Sequence, residues 1–559
     1  MHFRSQDILN GPEWLLNRGT YKTMGYSDDD LSRPLIAVVN SWNQVVPGHY
    51  NLREVAEYVR SGIYRAGGTP VEFGILAPCD GIAQGHDGMH YILPARELVA
   101  HSIEVMIQAH RLDGMVLLGS CDKIVPGMLM AAARLDLPAI LIAGGPMLGG
   151  REFDGRASDM TTLSEAVGML KSGRISEAEF EALEDVCGPS CGSCAYLGTA
   201  NTMCSLAEAM GMSLPGSALI PAVYADRMRA AQATGQAIVE LVRRGITARQ
   251  IINSKSLDNA IRVCMAIGGS TNAALHLPAI AYEAGVELGL DRFDQLSRET
   301  PYLAKLNPAS KYNMVDFYQS GGIPQVMTEL GNLLHLDALT VTGKTVEENL
   351  AAYRGSGWGA VNREVIRTVE SPFRADGGLA VLRGNLAPAG AIAKPAAIDP
   401  AVWTFTGTAR VFDSEEQAEE AILSGRIRKG DVVVIRYEGP KGGPGMREMY
   451  KAMKYLYGLG LAKHTALVTD GRFSGTNNGC FVGHVSPEAA SGGPLAVVEE
   501  GDRITVDIPN RRLELHVDER EIQRRLSQWK PPAPKFQKGY LALYERLVSS
   551  ADQGAIIKF

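Results

Sequence analysis

The sequence predicts an α/β N-terminal domain, with an open parallel sheet flanked by helices, followed by a β-rich, barrel-like C-terminal domain. Between about residues 34 and 340, short apolar runs alternate with longer amphipathic stretches, which is typical of strand–helix–strand units. Beyond about residue 370, short strands punctuated by Gly and Pro take over. The 559 residues also exceed the roughly 250–300 at which one core stops growing. We therefore predict two domains, over residues 1–370 and 371–559.

Continuous apolar runs predict the buried strands of the first domain, and apolar residues at helical spacing predict the helices between them. Strands are predicted over 34–39, 114–118 and 138–142, and helices over 52–66, 95–110 and 128–135. Helix-rich segments over 155–185, 204–250 and 254–290 are expected to cover the sheet, with Thr247 as a helix N-cap. In the second domain we predict strands over 378–382, 431–436, 466–469 and 503–507, a helix over 518–529, and a C-terminal tail after Pro531-Pro532.

The composition is that of a soluble globular enzyme, with 45% hydrophobic and 21% charged residues. The net charge of −7 and the lack of a basic stripe argue against a nucleic-acid partner. The N-terminus has no apolar signal-peptide core, and no run of about 18 apolar residues could span a bilayer, so we expect a cytoplasmic protein with no membrane partner. In that reducing compartment, the eight cysteines indicate metal ligands, catalytic thiols or buried small hydrophobes rather than disulfides.

Three cysteines, Cys79, Cys121 and Cys194, lie in Gly-rich loops directly after predicted strands. In open α/β sheets the loops at the carboxyl ends of the strands converge on the ligand crevice, so these thiols can meet there. Thiolates select soft metals, and zinc and iron–sulfur clusters lead that group. The pattern therefore predicts a thiolate-bound metal site.

The same loops carry hard ligands, because Asp80 and Asp122 each follow a cysteine and Lys123 follows Asp122. Carboxylate oxygens suit a small divalent cation such as Mg²⁺. A soft and a hard metal side by side could serve a dehydration, in which one Lewis acid draws off a hydroxyl and the other stabilises negative charge on a carboxylate and its α-oxygen.

The remaining cysteines and two later loops have alternative interpretations. Cys204, Cys264 and Cys480 sit in helical or apolar settings and are predicted to be buried hydrophobes. Cys187 and Cys191 could hold a metal with a different choice of thiols, and Cys191 is kept as a reserve ligand. The Gly-dense loops over 438–449 and 469–475 either approach a ligand closely or are tight turns at the rim of the barrel.

From about residue 34 to the region of Gly493, the chain resembles the dihydroxy-acid dehydratase and 6-phosphogluconate dehydratase family, which includes aldonic-acid dehydratases. The motifs that carry this resemblance are Cys-Asp-Gly-Ile at 79–82, Gly-His-Asp-Gly-Met at 85–89, Gly-Ser-Cys-Asp-Lys-Ile-Val-Pro-Gly-Met at 119–128, Gly-Ser-Cys at 192–194, Gly-Thr-Ala-Asn-Thr-Met at 198–203, Gly-Gly-Ser-Thr-Asn at 268–272, Lys-Gly-Gly-Pro-Gly-Met at 441–446, Thr-Asp-Gly-Arg-Phe-Ser-Gly at 469–475 and Gly-His-Val-Ser-Pro-Glu at 483–488. Coincidence cannot account for so many motifs.

The resemblance implies an iron–sulfur cluster beside a Mg²⁺ site, with the active site between the α/β domain and a β-barrel domain. It also implies a homodimer or homotetramer. Position by position, Cys121 and Cys194 would be cluster ligands. The residues implied at the cation and in catalysis are Asp80, Asp122 and Glu448 as Mg²⁺ ligands, Lys123 as a further ligand in the form of a carbamate, and Ser474 as the base. Without a carbamate, Lys123 would form a salt bridge with Asp122 or a substrate carboxylate.

The chain departs from the family pattern at two positions. Branched-chain-acid enzymes usually carry a cluster cysteine in a Pro-Cys-Asn motif, where this chain has Pro47-Gly48-His49. The phosphogluconate branch instead has cysteine before Asp-Gly, as Cys79 stands here, so Cys79 is assigned as the third ligand. Both [2Fe-2S] and [4Fe-4S] clusters are compatible with three thiolates. Asp87 stands where many members have Glu.

The function implied is that of a hydro-lyase, which converts a 2,3-dihydroxy carboxylic acid into a 2-keto-3-deoxy acid. Ser474, activated beside Mg²⁺, would remove the C2 proton while Mg²⁺ stabilises the enediolate and an iron takes the 3-hydroxyl. Sugar acids and 2,3-dihydroxy-isovalerate are both candidate substrates, with a leaning towards sugar acids. His49 and His86 could donate hydrogen bonds or shuttle a proton. The alternatives are a zinc-dependent aldolase or hydrolase and a non-enzymatic iron–sulfur protein.

Overall fold

The N-terminal part of the computed structural model contains an open sheet of four parallel strands. The structure describes residues 2–171, 173–354, 361–473 and 479–558. The strands are β1 (Leu35–Asn40), β2 (Thr69–Gly74), β3 (Gly114–Leu118) and β4 (Ala139–Ile142), in the order β2-β1-β3-β4. Every residue of β1, β3 and β4 is buried, which agrees with their continuous apolar sequences. The predicted parallel sheet is confirmed.

Helices surround this sheet. A small hairpin of β5 (Glu152–Phe153) and β6 (Arg156–Ala157) follows β4 in the chain. The helices are α1 (Leu15–Thr23), α2 (Asp28–Ser32), α3 (Leu52–Arg65), α4 (Asp80–Ala83), α5 (Pro94–His110), α6 (Ile124–Leu135), α7 (Met160–Lys171), α8 (Glu177–Val186), α9 (Thr199–Ala209), α10 (Ala225–Arg244), α11 (Ala248–Ile251), α12 (Ser254–Ile267), α13 (Ala273–Ala284), α14 (Leu290–Glu299), α15 (Met314–Gln319), α16 (Gly322–Leu330) and α17 (Val346–Arg354). The predicted helices correspond to α3, α5 and α6, and Thr247 is the N-cap of α11 as predicted.

Strand β2 was not predicted, because its sequence Thr-Pro-Val-Glu-Phe-Gly lacks an apolar run. It pairs with β1 and forms an edge of the sheet, where alternate side chains reach the surface. Pro70 is tolerated there, since an edge strand has one side free of ladder hydrogen bonds. This strand leads the chain towards Cys79.

The C-terminal part is a closed barrel of eight strands, which confirms the predicted barrel-like fold. The strands are β7 (Ala380–Gly384), β8 (Ala387–Ala393), β9 (Thr404–Phe412), β10 (Asp431–Ile435), β11 (Ala466–Thr469), β12 (Cys480–Ser486), β13 (Arg503–Asp507) and β14 (Arg512–Leu515), closing in the order β10-β11-β12-β8-β7-β14-β13-β9. Four helices of this part are α18 (Glu415–Leu423), α19 (Lys451–Gly458), α20 (Glu519–Gln528) and α21 (Gly539–Leu547). Helix α20 is the one predicted over 518–529.

The segment after Pro532 is not the tail that was predicted. It forms α21, and the residues that follow dock onto the N-terminal domain. The buried Arg96 guanidinium donates hydrogen bonds to the carbonyl oxygens of Gly554, at 2.9 Å, and Ala555, at 2.7 Å. Apolar side chains around Tyr544 and Val548 complete the contact. The prediction was wrong because these apolar residues are too few and too scattered to produce a clear periodic pattern.

The loop before Glu448 also contacts the N-terminal domain. The ring of His90 bonds through Nδ1 to the carbonyl oxygens of Gly443 and, at 3.0 Å, Pro444. Gly445 has a φ of +94°, and a Cβ at this position would lie 1.9 Å from the carbonyl oxygen of His90. The approach therefore requires glycine. It brings Glu448 of the barrel domain to the loops that follow β2 and β3.

None of the helices in the described ranges is both long and apolar enough to cross a membrane.

Candidate active site

A cavity of about 390 Å³ lies between the two domains, and six of the predicted site residues line it. The loops after β2 and β3, the segment before α9 and the barrel loop at Glu448 all contribute to it. Its predicted members are the thiols of Cys79, Cys121 and Cys194 and the carboxylates of Asp80, Asp122 and Glu448. Soft and hard ligand groups therefore share one cavity.

Local backbone structure positions Cys79 and Cys121. Cys79 is the N-cap residue of α4. The carbonyl of Cys121 accepts hydrogen bonds from the amides of Ile124 and Val125 at the start of α6. Burial, followed by the neighbouring thiol of Cys79 and the carboxylate of Asp122, raises the pKa of Cys121 well above its usual value. Thiolates here therefore need nearby positive charge, which a bound metal would supply.

The turn Pro47–His49 positions the loops that carry Cys121 and Cys194. His49 is fully buried, and its Nδ1 lies 3.0 Å from the carbonyl oxygen of Ser41. Nδ1 must therefore donate, which leaves Nε2 to accept from the amides of Ser120 and Cys121, each at 3.1 Å. Burial lowers the pKa of His49 to about 4, so the ring is neutral. His49 holds the Cys121 loop, and nothing in these contacts makes it a proton shuttle.

Gly48 lies directly against the predicted cluster site. A Cβ built on Gly48 would be 2.9 Å from the sulfur of Cys121 and 3.3 Å from the backbone of Ser193. The carbonyl of Pro47 accepts a hydrogen bond from the amide of Gly192, at 3.0 Å, just before Cys194. Gly48, where part of the family carries a cysteine, therefore lies against the loops of Cys121 and Cys194. It has no side chain to contribute as a ligand.

The three carboxylates form a compact group at the other side of the cavity. One oxygen each of Asp80, Asp122 and Glu448 lie within 4.8 Å of one another. The ammonium group of Lys123, only 1% exposed, lies 2.7 Å from Asp80 and 3.4 Å from Asp122. The salt bridge expected for an unmodified Lys123 is therefore present, and it involves Asp80 more closely than Asp122.

Glu448 is held by two residues that were not predicted. Arg472 is fully buried and donates through Nη1 to Glu448 and through Nε to the carbonyl of Met446, the latter at 2.8 Å. Gln84 donates through Nε2 to the other Glu448 oxygen at 3.0 Å. Burial opposes ionisation of Glu448, but the charges of Arg472 and Lys123, with the hydrogen bonds from Gln84 and Arg472, together lower its pKa. These contacts hold Glu448 as an anion in a fixed orientation.

Burial and the nearby Asp122 raise the pKa of Asp80 to about 7, although Lys123 opposes the shift. Below about pH 7 the Asp80 carboxyl carries a proton, and a cation that binds there must displace that proton. We expect the affinity for Mn²⁺, used as a probe for Mg²⁺, to rise about tenfold per pH unit below about 7 and then to level off. Electron paramagnetic resonance (EPR) titrations of free Mn²⁺ measure this. Asp80→Asn should make the Mn²⁺ affinity nearly independent of pH. If the affinity of the parent were already independent of pH, the prediction would be wrong.

Other predicted candidates lie elsewhere. Cys187 and Cys191 are not among the residues that line the cavity. Cys204, Cys264 and Cys480 are buried in hydrophobic cores, which confirms the prediction made for them. Asp87 and His86 are exposed, and His86 bonds to the carbonyl oxygen of Ile82 and to the amide of Gly88. Ser474 lies outside the described residues, so its role stays a prediction.

Tyr196 and Tyr450 also line the cavity and were not singled out from the sequence. Burial raises the pKa of Tyr450 to about 12 and that of Tyr196 well above its usual value, so both hydroxyls remain protonated. Arg472 and Gln84 lie inside or beside motifs that carry the family resemblance, and this adjacency was the one available signal for them. The tyrosines had no such signal.

Both parts of the chain match one protein family. Residues 33–349 match the family described as dihydroxy-acid/6-phosphogluconate dehydratase N-terminal, and residues 364–555 match its C-terminal counterpart. Proteins named dihydroxy-acid dehydratase from Acetivibrio thermocellus and Caldanaerobacter subterraneus subsp. tengcongensis are 53% and 52% identical to the chain over 557 residues. One from Methanosarcina barkeri is 51% identical over 554 residues. These alignments cover 99% of this chain and 99–100% of the relatives. The chain therefore belongs to the dihydroxy-acid/6-phosphogluconate dehydratase family and is a hydro-lyase of that family.

Proposed function

We propose that this protein dehydrates a 2,3-dihydroxy carboxylic acid to a 2-keto-3-deoxy acid, with a thiolate-bound iron–sulfur cluster and a Mg²⁺ ion. The observation that carries the proposal is the placement of three thiols and three clustered carboxylates in one cavity. Electron transfer alone gives no reason for a hard-cation site beside the thiols. The carboxylate cluster therefore favours substrate chemistry over a non-enzymatic iron–sulfur protein.

The donor sets fit the two groups. Cys79, Cys121 and Cys194 would hold the cluster, which leaves a coordination position without a protein ligand. Asp80, Asp122 and Glu448 offer the oxygen ligands that Mg²⁺ prefers. When bound, the cluster would supply a Lewis-acidic iron for the leaving 3-hydroxyl, and Mg²⁺ would neutralise charge on the substrate carboxylate and 2-oxygen.

Lys123 would join the cation site as a carbamate. As an ammonium group it places positive charge 2.7 Å from Asp80, where it competes with a divalent cation. A carbamate converts the same side chain into an anionic oxygen ligand. The position of Lys123 supports this, because its Nζ lies 2.7 Å from Asp80 and 3.4 Å from Asp122, so a carbamate there would place an anionic oxygen beside the carboxylates.

Ser474 is proposed as the base that removes the C2 proton. It follows Phe473, whose carbonyl is fixed by the side chain of Asn272 at 3.2 Å. The hydroxyl of Tyr450 donates to Oγ of Ser164, and the hydroxyl of Tyr196 is hydrogen-bonded to the thiol of Cys194, at the wall of the cavity. The proposal thus combines a base with a partly apolar cavity that contains both sets of metal ligands.

The apolar part of the cavity supports an aliphatic substrate tail. Val46, Ile82, Met147, Met160 and Leu163 line it. A polyol would leave hydroxyls without partners against these side chains, which is costly. We therefore propose 2,3-dihydroxy-isovalerate ahead of gluconate or pentonates, against the leaning towards sugar acids drawn from the motifs.

A substrate panel tests the proposal. Anaerobically reconstituted protein should form 2-keto acid from 2,3-dihydroxy-isovalerate with a kcat/KM at least about tenfold above that for gluconate or a pentonate. Chelation of Mg²⁺ should abolish turnover reversibly. Leu163→Asn should reduce the ratio of kcat/KM for 2,3-dihydroxy-isovalerate to kcat/KM for gluconate, without changing the iron content. Zinc in place of iron, or no keto acid from any dihydroxy acid by protein that holds iron and Mg²⁺, would contradict it.

A further inference from the structure

Asn272 joins the two sides of the active site, although no ligand role falls to it. The residue is fully buried and directly precedes α13. Its Oδ1 accepts a hydrogen bond from Nη1 of Arg472 at 3.3 Å. Its Nδ2 lies 3.0 Å from Oγ1 of Thr199 and 3.2 Å from both Oγ of Ser270 and the carbonyl oxygen of Phe473. One side chain thus contacts both domains.

The chemistry of these partners requires an amide. Arg472 can only donate, so the atom facing it must be the amide oxygen. The carbonyl of Phe473 can only accept, so the atom facing it must be the amide nitrogen. Aspartate has the same shape but offers no donor, and alanine offers neither group. Asparagine therefore satisfies both partners.

Two partners of Asn272 adjoin groups with proposed roles, namely Glu448 at the cation site and Ser474 as the base. Nη1 of Arg472, which donates to Asn272, also donates to Glu448. The Phe473 carbonyl precedes the proposed base. On the opposite side, Thr199 begins α9 and lines the cavity after the Cys194 loop. Asn272 thus fastens the barrel loop to the helix that follows a predicted cluster ligand.

We infer that Asn272 is a positioning residue that fixes Arg472 against Glu448 and so sets the geometry of the cation site. The inference rests on the proposed function in that it takes Glu448 as a cation ligand. Residues in contact with metal ligands typically contribute 10–100-fold to metal affinity or activity; Arg472 is in contact with Glu448, and Asn272 acts on the site through Arg472. The effect of Asn272 should accordingly appear in cation binding, not only in stability.

The test compares Asn272→Ala and Asn272→Asp with a matched control. Asn259→Ala removes another fully buried asparagine, whose amide bonds to the backbone of His335 at 2.8 and 3.1 Å, away from the cavity. On holoenzyme, the Mn²⁺ affinity is measured by EPR, with cluster absorbance, iron content, melting temperature, kcat and KM. Asn272→Asp keeps the volume of the side chain, which guards against a folding defect in the alanine variant.

We expect both Asn272 variants to retain iron and cluster absorbance, to bind Mn²⁺ about tenfold more weakly, and to lose kcat by a similar factor, at the lower end of the range for direct partners of the ligands. The Asn259 variant should lower the melting temperature but leave Mn²⁺ affinity and kcat within about twofold. Parent-like Mn²⁺ affinity in both Asn272 variants would overturn the inference. If the parent dehydrates no dihydroxy acid, but Mn²⁺ affinity still falls in the Asn272 variants, the proposed function fails and the positioning role stands.

Discussion

Replacing Cys79 by serine is expected to remove most of the iron and the charge-transfer absorbance from anaerobically reconstituted protein. Cys79, Cys121 and Cys194 are the thiols that line the cavity in the described part of the chain, and Gly48 offers no substitute side chain. A serine hydroxyl is a harder ligand that stays protonated near neutral pH. Because Lewis-acid stabilisation is worth several kcal/mol, turnover should fall by about 10³-fold or more.

Cys264→Ser is the matched control, since Cys264 is a buried thiol in the core of the N-terminal domain. It should lower stability while the iron content per folded molecule stays at the parent level. Iron analysis and visible circular dichroism distinguish the two variants. If Cys79→Ser retained full iron content, the third ligand would have to be reassigned, with Cys191 as the first candidate.

Ser474→Ala should retain the cluster absorbance and Mn²⁺ binding but lose turnover by about 10²–10⁴-fold, the usual contribution of a general base. The expected loss lies in kcat, because alanine removes the proton acceptor without removing a metal ligand. Steady-state kinetics, with iron content and Mn²⁺ EPR on the same sample, measure the effect. Ser491→Ala, at an exposed position of the same domain, should behave like the parent. Near-parent turnover by Ser474→Ala would eliminate Ser474 as the base.

Much of the fold follows from local sequence. Strands β1, β3 and β4 are buried on both faces, so their sequences are continuous apolar runs that are easily recognised. The edge strand β2 mixes polar and apolar residues, so an apolar run does not reveal it. Strand β8 has the sequence Ala-Pro-Ala-Gly-Ala-Ile-Ala, whose small residues carry little β-propensity and are stabilised as a strand by pairing with β7 and β12.

The candidate site was predictable where a single loop carries the chemistry. The Cys-Asp pairs at 79–80 and 121–122 follow strands, and the convergence of parallel-sheet loops brings them together. Glu448 was assigned through the family resemblance, because no local pattern indicates that a barrel loop reaches the sheet domain. The contact between Asn272 and Arg472 joins positions 200 residues apart and depends on how the domains dock. Such pairings are fixed by tertiary structure alone.

The docking of the loop at Gly445 onto His90 has a thermodynamic consequence. Asp80 and Asp122 come from the sheet domain and Glu448 from the barrel domain, so a divalent ion bound by all three recognises only the assembled pair. Such an ion favours assembly by RT ln(1 + [ion]/Kd), about 2.7 kcal/mol at one hundred times Kd. With the ion bound, the two hydrophobic cores should unfold in one cooperative transition, and after its removal they should unfold in separate steps.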